Sequence, residues 1–345
     1  MKKDNLDAQA TSDRKLEHIK LTDAAQTAHI LADKRFYYEP LFSGNREVPD
    51  LSLDFAGHKL DLPIWVSSMT GGTGIAAKIN ENLARACGEF GIGIGLGSCR
   101  KLLSKDSRSQ FFSDFDIAKH CGNSPFYANL GVAQLEELID EGALNKASDV
   151  VSSLGANGLI IHVNPAQEWF QPEGDIIKRS PLEIIKICLE EFDFPIIVKE
   201  VGQGMGPKSL AALMQMDLAA IEFAAFGGTN FSKLEYIRNS NDLSIHEPLC
   251  HVGHTALEMV KMSNQIIDQL GEQVRCKNFI ISGGIKSYLD GFYLCKLSKG
   301  NAIFGMASEF LKTAMVDYES VSRQVTQIKA GLAFANSYLS VRSEN

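Results

Sequence analysis

Between positions 162 and 175 the chain reads His162-Val163-Asn164-Pro165-Ala166-Gln167-Glu168-Trp169-Phe170-Gln171-Pro172-Glu173-Gly174-Asp175. Few short stretches hold so many groups able to do chemistry. Asn164 and Gln167 can donate and accept hydrogen bonds without adding charge, so Gln167 could orient a bound substrate. Glu168 offers the hard oxygen ligands that Mg²⁺ takes, usually one or two carboxylates completed by water and substrate phosphate. A solvated loop is the plainer alternative. Loops that place amides and carboxylates between aromatic residues and prolines are, however, where binding residues concentrate.

Comparable clusters recur along the chain: Ser67-Ser68-Met69-Thr70-Gly71-Gly72, Gly97-Ser98-Cys99-Arg100, Asn129-Leu130-Gly131, Lys199-Glu200, Gly227-Gly228-Thr229, Ser282-Gly283-Gly284 and Gly305-Met306-Ala307. Taken singly, a Gly pair is a turn and a Ser or Asn a helix N-cap. The last two clusters each feed a helix, and their backbone N–H groups could cradle a phosphate. Lys199 follows an apolar run that would be buried. A buried ammonium needs an anionic partner, the alternative being a surface lysine.

Each cluster ends a short apolar run. Eight such runs are present, at 63–68, 91–98, 124–131, 158–164, 194–202, 219–228, 278–284 and 302–307. Near-continuous apolar runs predict strands buried on both faces, hence a parallel sheet, and alternation with helices predicts βαβ units. After the first run, Ile75, Ile79, Leu83 and Ala86 fall at helical spacing. Ser180-Pro181 and Pro207 look like helix starts. Eight units predict an α/β fold of the (β/α)8 barrel type, whose reacting groups gather at the C-terminal strand ends. An open doubly wound sheet is the alternative, and strand count discriminates. Residues 1–62 precede the repeat, with a helix expected from about Asp13 to Ala32, and residues 229–277 form an insertion between strands six and seven.

Bulk properties narrow the function. The chain has 345 residues, 45% of them hydrophobic, and a formal net charge of -8. That balance disfavours a nucleic-acid partner but not a small phosphorylated ligand. Seven cysteines without a Cys-x-x-Cys pair predict reduced thiols and a cytoplasmic location. No stretch approaches the roughly 18 apolar residues that cross a bilayer, and the first residues lack the apolar core of a signal peptide. The first dozen residues and Ser343-Glu344-Asn345 are expected to fray.

The motifs together resemble a known family. Arg14-Lys15 with Glu17-His18-Ile19, Ser68-Met69-Thr70-Gly71-Gly72, Gly97-Ser98 with Arg100, Asn129-Leu130-Gly131, His162 with Asn164-Pro165 and Gln167-Glu168, Gln171-Pro172-Glu173-Gly174-Asp175, Lys199-Glu200-Val201-Gly202, Gly227-Gly228-Thr229 and Ser282-Gly283-Gly284-Ile285 are similar to those of type 2 isopentenyl-diphosphate isomerases. The match covers about residues 13–312. The Gly pairs are generic to flavin barrels, whereas Gln167-Glu168 with the segment from Gln171 to Asp175 and the N-terminal Arg14-Lys15 motif are specific.

The resemblance implies exchange of isopentenyl and dimethylallyl diphosphates with FMN, Mg²⁺ and a reductant such as NADPH. It places FMN on Ser68, Met69, Thr70, Ser98, Asn129, Lys199, Thr229, Gly283, Gly284, Met306 and Ala307. It places the diphosphate on Arg14, Lys15, Ser98 and Arg100, and Mg²⁺ on Glu168. His162, Asn164 and Gln167 would line the substrate, and the role of a later family glutamate falls on Glu235. It further implies a single FMN-binding barrel domain with extension 1–62, core 63–312 and C-terminal helix 313–345, assembled as a homo-oligomer, a tetramer or octamer. Reduced FMN is expected to act as the acid–base group, with Lys199 facing its negative edge.

Three positions depart from the family. Cys99 stands where Gln is usual, Phe231 where Trp is common, and Val252-Gly253-His254-Thr255 replaces a Gly-Ile-Pro-Thr segment. Cys250, His251 and His254 have metal-binding chemistry but no evident fourth ligand. The runner-up function is an FMN-dependent oxidoreductase of the 2-hydroxy acid oxidase type, although neither His251 nor His254 is followed by the arginine such chemistry needs to grip a carboxylate. A non-catalytic flavin or phosphate binder is the third reading, and it leaves the polar strand-four loop without a purpose.

Overall fold

The computed structural model describes residues 13–44, 49–239 and 244–342. The chain ends expected to fray, up to residue 12 and from residue 343, lie outside them. In chain order the strands are β1 (Phe36–Tyr38), β2 (Leu53–Phe55), β3 (His58–Leu60), β4 (Ile64–Val66), β5 (Gly93–Gly95), β6 (Phe126–Gly131), β7 (Gly158–His162), β8 (Ile196–Lys199), β9 (Ala220–Glu222), β10 (Asn278–Ile281), β11 (Asn301–Met306) and β12 (Leu339–Val341). Strands β4 to β11 pair in parallel, and β11 returns to β4, closing an eight-stranded barrel. All eight predicted strands are therefore present, seven as a shorter core of their apolar run and the eighth, Asn301–Met306, shifted one residue toward the N-terminus.

The barrel explains why those runs are apolar throughout. Alternate residues point inward and outward, and both directions are buried. Trp65, Tyr127, Ile160, Ile197, Ala220, Ile280 and Ile303 fill the interior. Their neighbours, among them Ile64, Val66, Ile94, Leu159 and Ile281, face the surrounding helices. The hairpin β2–β3 adds Phe55 and Leu60 to the interior cluster. Its turn, Ala56-Gly57, has positive φ at both residues (50° and 81°), the two-residue hairpin geometry that suits the strand twist. Asn301, which opens β11, donates to the Asp54 carbonyl at 2.9 Å, so the hairpin plugs the end of the barrel opposite the strand C-termini.

Helix starts follow the sequence closely. Ser180 accepts a hydrogen bond from the Glu183 N–H, with Pro181 in the first turn, and Pro207 opens the helix Pro207–Met214. The helix Ala76–Phe90 buries Ile79, Leu83 and Ala86 as expected. Ile75 does not belong to that stripe: it is the N-cap and 66% exposed.

Two expectations need correction. The helix expected from Asp13 to Ala32 stops at residue 21, and a short 3-10 turn, His29–Leu31, follows. Every residue of 13–21 is exposed, so no packed face extends the helix, and isolated short helices are marginal. The insertion 229–277 is also smaller than it looked. Its last part, the helix Ala256–Leu270 with a Thr255–Glu258 capping box, packs between Pro207–Met214 and Tyr288–Leu297 as a regular member of the outer ring. The additions proper are the helix Phe231–Arg238 and the 3-10 segment Ser244–His251. The long helix Tyr318–Tyr338 leads into β12, which pairs antiparallel with β1, a link the sequence did not predict.

Candidate active site at the C-terminal mouth of the barrel

The C-terminal strand ends surround a cavity of about 430 Å³. Ser68, Lys199, Thr229, Gly283, Gly284, Met306 and Ala307 of the expected FMN set line it, together with Ser67, Glu222, Ser282 and Phe231. Met69, Thr70, Ser98 and Asn129 sit on the adjoining strand ends. A Cβ at Gly97 would fall 2.3 Å from the Thr70 carbonyl oxygen, which shows how closely those ends approach.

Backbone geometry builds one wall. Gly283 has φ of 89°, and a Cβ there would lie 2.1 Å from the Ala225 carbonyl oxygen. Only glycine lets the loop after β10 lie on the loop after β9. Ala224, beside it, holds φ of 42°, a left-handed conformation uncommon for a residue with a Cβ.

The opposite rim carries the side chains. Register pairs His162 with Lys199 and Lys199 with Glu222, so the three point inward in a row across β7, β8 and β9. Lys199 is 7% exposed, and its Nζ donates to the Glu200 carbonyl at 2.7 Å. Glu200 in turn accepts the N–H groups of Gly202, Gln203 and Gly204, which shapes the loop after β8. Burial pushes the Glu200 carboxyl above its usual range. Asn129 Nδ2 donates to the Leu96 carbonyl at 2.9 Å, so its Oδ1 faces His162 Nδ1, 2.8 Å away. His162 therefore carries its proton on Nδ1 and presents Nε2 as an acceptor. Burial, with the nearby Lys199 ammonium, lowers its pKa to about 3.

The strand-four loop is a connected network. Asn164 Nδ2 donates to Gln167 Oε1 at 3.2 Å and to Glu168 Oε1 at 2.7 Å. Glu168 Oε2 accepts the Asp175 N–H at 2.8 Å. Asp175 Oδ2 accepts from Gln134 Nε2 and pairs with Arg100 at 2.9 Å. Asn164 Oδ1 is buried without a partner. Across the loop, Arg238 bridges Glu173 and the buried Glu235, at 2.5 and 2.6 Å. Asn239 Nδ2 donates to the Phe170 carbonyl, which ties the helix Phe231–Arg238 to the helix Pro165–Phe170.

Not every expected residue joins this group. Arg14 and Lys15 lie in the exposed N-terminal helix and make no hydrogen bond or ion pair with the described residues of the barrel. Cys99 is fully buried among core side chains, and burial raises its thiol pKa to about 12. The usual family Gln thus has no polar counterpart at this position. The sequence singled out Ser282 and Asp175 only as members of motifs, without a role of their own, and passed over Glu222. For Glu222 a signal existed: it is the lone charge in the run Ala219-Ala220-Ile221-Glu222-Phe223-Ala224-Ala225.

This fold, with its polar mouth above a plugged base, defines the class: a (β/α)8 barrel with the architecture of FMN-dependent enzymes. A mandelate oxidase variant carrying a monooxide FMN adduct aligns with a TM-score of 0.57 at 13% identity, covering 90% of this chain and 89% of that one. A flavocytochrome b2 variant with benzoylformate gives 0.60 at 15%, covering 90% and 79%. The chain belongs to the isopentenyl-diphosphate delta-isomerase family. Isopentenyl-diphosphate delta-isomerase of Rickettsia felis is 34% identical over 333 residues, 95% of this chain and 91% of that protein. The Rickettsia akari protein of the same name is 32% identical over 321 residues, covering 91% and 90%. No protein-family model matches the chain.

Proposed function

We propose that this chain interconverts isopentenyl and dimethylallyl diphosphates as a type 2 enzyme, using FMN, Mg²⁺ and NADPH as reductant. The observation that carries the reading is the meeting, at one barrel mouth, of the buried Lys199 and the Gly283-Gly284 wall. The residues present fit FMN. Glu222 Oε2, Ser67 Oγ and Ser68 Oγ are buried without partners beside the cavity, and glycine keeps the wall low enough for a ligand. Thr229, Gly283, Gly284, Met306 and Ala307 would hold the phosphate end. Lys199, with Asn129, Ser68, Met69, Thr70 and Ser98, would hold the ring.

The net reaction adds a proton at the terminal alkene carbon and removes one from the carbon next to the diphosphate-bearing carbon. Reduced FMN, when bound, supplies the acid–base group and an electron-rich face. The chain supplies position and charge. Lys199 balances negative charge on the ring edge. Gln167 and the Nε2 of neutral His162 orient the alkene. Asn164 holds Gln167 directly, and Glu235 acts on the same loop through Arg238, which pairs with Glu173.

Glu168 fits Mg²⁺: each carboxyl oxygen accepts one hydrogen bond and keeps a further lone pair, and the orphaned Asn164 Oδ1 is a second hard donor close by. Arg100 and Ser98, both exposed at the rim, would meet the diphosphate. Arg100 is 49% exposed in its pair with Asp175, so exchanging that partner for a phosphate costs about 1 kcal/mol or less. Arg14 and Lys15 would join only if the N-terminal arm packs over the mouth. Exposed Leu16, Ile19, Leu41 and Phe42 on that arm support such packing, within one subunit or in a homo-oligomer.

Purified protein with reduced FMN and Mg²⁺, kept anaerobic, should convert isopentenyl diphosphate to dimethylallyl diphosphate. Oxidation of a 2-hydroxy acid without isomerisation would overturn the reading.

A further inference from the structure

Below the glycine wall the cavity floor is polar and incompletely bonded. Glu222 closes β9 with no exposed surface. Its Oε1 accepts a hydrogen bond from Ser282 Oγ at 3.1 Å, and that hydroxyl accepts the Ala224 N–H at 2.9 Å. The single Ser282 proton is thereby committed. Glu222 Oε2 has no partner, although Glu222 lines the cavity. Ser67 Oγ, at the end of β4, is buried and unpartnered too. Gly305 on β11 brings Ser67 and Ser282 close with no side chain between them: a Cβ there would fall 2.6 Å from Ser67 Oγ and 2.8 Å from Ser282 Cβ. Buried polar atoms without partners destabilise a fold and persist where something completes them.

The missing partners have a definite chemistry. A carboxyl oxygen of this kind calls for an O–H or N–H donor, and a phosphate or carboxylate offers none. A string of hydroxyls, each able to donate and accept, satisfies Glu222 Oε2 and Ser67 Oγ together. On the FMN reading above, the phosphate sits by β10 and β11 and the ring by Lys199 on β8. The linker between them would then pass Glu222, Ser67 and Ser282, which line the cavity between those two ends. We infer that Glu222, oriented by Ser282, receives the ribityl hydroxyls of FMN and so selects a cofactor with a polyhydroxy linker.

The rival role for Glu222 is a plain counter-charge to Lys199, its register partner. The two roles separate on the ligand side. FMN and analogues each lacking one ribityl hydroxyl are titrated into flavin-free wild type and Glu222→Gln, with flavin fluorescence as the readout. Glu222→Gln should bind FMN about 10-fold or more weakly. At least one deoxy analogue should lose about 10-fold on wild type, yet bind Glu222→Gln no worse than FMN does. Equal losses on both proteins, or unchanged FMN binding by Glu222→Gln, would overturn the inference. Should that variant fail to fold, Glu222→Asp withdraws the oxygen while keeping its charge, and wild type indifferent to every deoxy analogue would by itself sink the idea. Wild type that binds all these flavins without discrimination defeats only this inference. Wild type that binds none defeats the FMN reading as well.

Discussion

Asn129 Oδ1 lies 2.8 Å from His162 Nδ1, and the Leu96 carbonyl on the other side of the amide leaves it no choice of orientation. One backbone carbonyl on β5's extension thus decides which nitrogen of a histidine two strands away faces the mouth. The histidine is held neutral, with its pKa lowered to about 3 by burial and by Lys199. The unfolded chain binds a proton at this ring below its ordinary pKa, while the folded chain does not, so stability falls as pH drops through that window. Between pH 7 and pH 5 the loss at this site should reach about 2 kcal/mol at most. Urea unfolding at the two pH values checks it: His162→Gln should lose less stability than wild type on acidification. An identical loss in both would show that His162 titrates normally in the folded protein.

Lys199 is the only charge of its own sign in the row His162, Lys199, Glu222. Lys199→Met should weaken FMN binding about 100-fold, the scale of removing one partner from a buried charge pair. It should also lower the midpoint potential of any flavin that still binds, because the ammonium favours the more negative reduced form. Flavin fluorescence and a spectroelectrochemical titration read the two effects. Weakened binding with an unchanged potential would place the ammonium away from the ring.

The barrel was legible in the sequence for a physical reason. A strand covered on both sides must be apolar at every position, and eight such runs stood out. Helix starts at Ser180 and Pro207 were legible because caps are local. The pairing of Phe36 with Val341 was not, since each strand has three residues and the partners meet only after the whole barrel has closed. Within the site, the strand-end residues could be read because glycines and serines break the apolar pattern. Glu222 was marked only as the lone charge of its apolar run, and its unbonded oxygen is a property of three dimensions. The place of Arg14 and Lys15 could not be read either, because a helix exposed on all sides carries no trace of what it docks against.

Gln167 is poised rather than buried. Its Oε1 accepts from Asn164 Nδ2 at 3.2 Å, which holds the amide without consuming its own two donors. Gln167→Ala should lower kcat about 100-fold or more, the scale of losing a group that acts chiefly in the transition state, while leaving the FMN content of the purified protein near wild type. Turnover and flavin absorbance measured on one preparation decide it. Parallel losses in both would make Gln167 a structural residue of the loop.

Glu168 stands between two fixed donors, Asn164 Nδ2 on one oxygen and the Asp175 N–H on the other. Glu168→Gln keeps the shape, but its amide nitrogen must then face one of those donors, and the charge that would attract a cation is gone. The Mg²⁺ concentration giving half-maximal isomerisation should rise about 10-fold or more, the cost of losing an ionised ligand to a divalent ion. The donor clash could also disturb the loop, so the fluorescence of Trp169, one residue on, serves as the control. Where that emission is unchanged, a Mg²⁺ titration identical to wild type would show that the metal is held by the diphosphate without Glu168, and the loop's carboxyl would then serve only to bind Asn164 and Asp175.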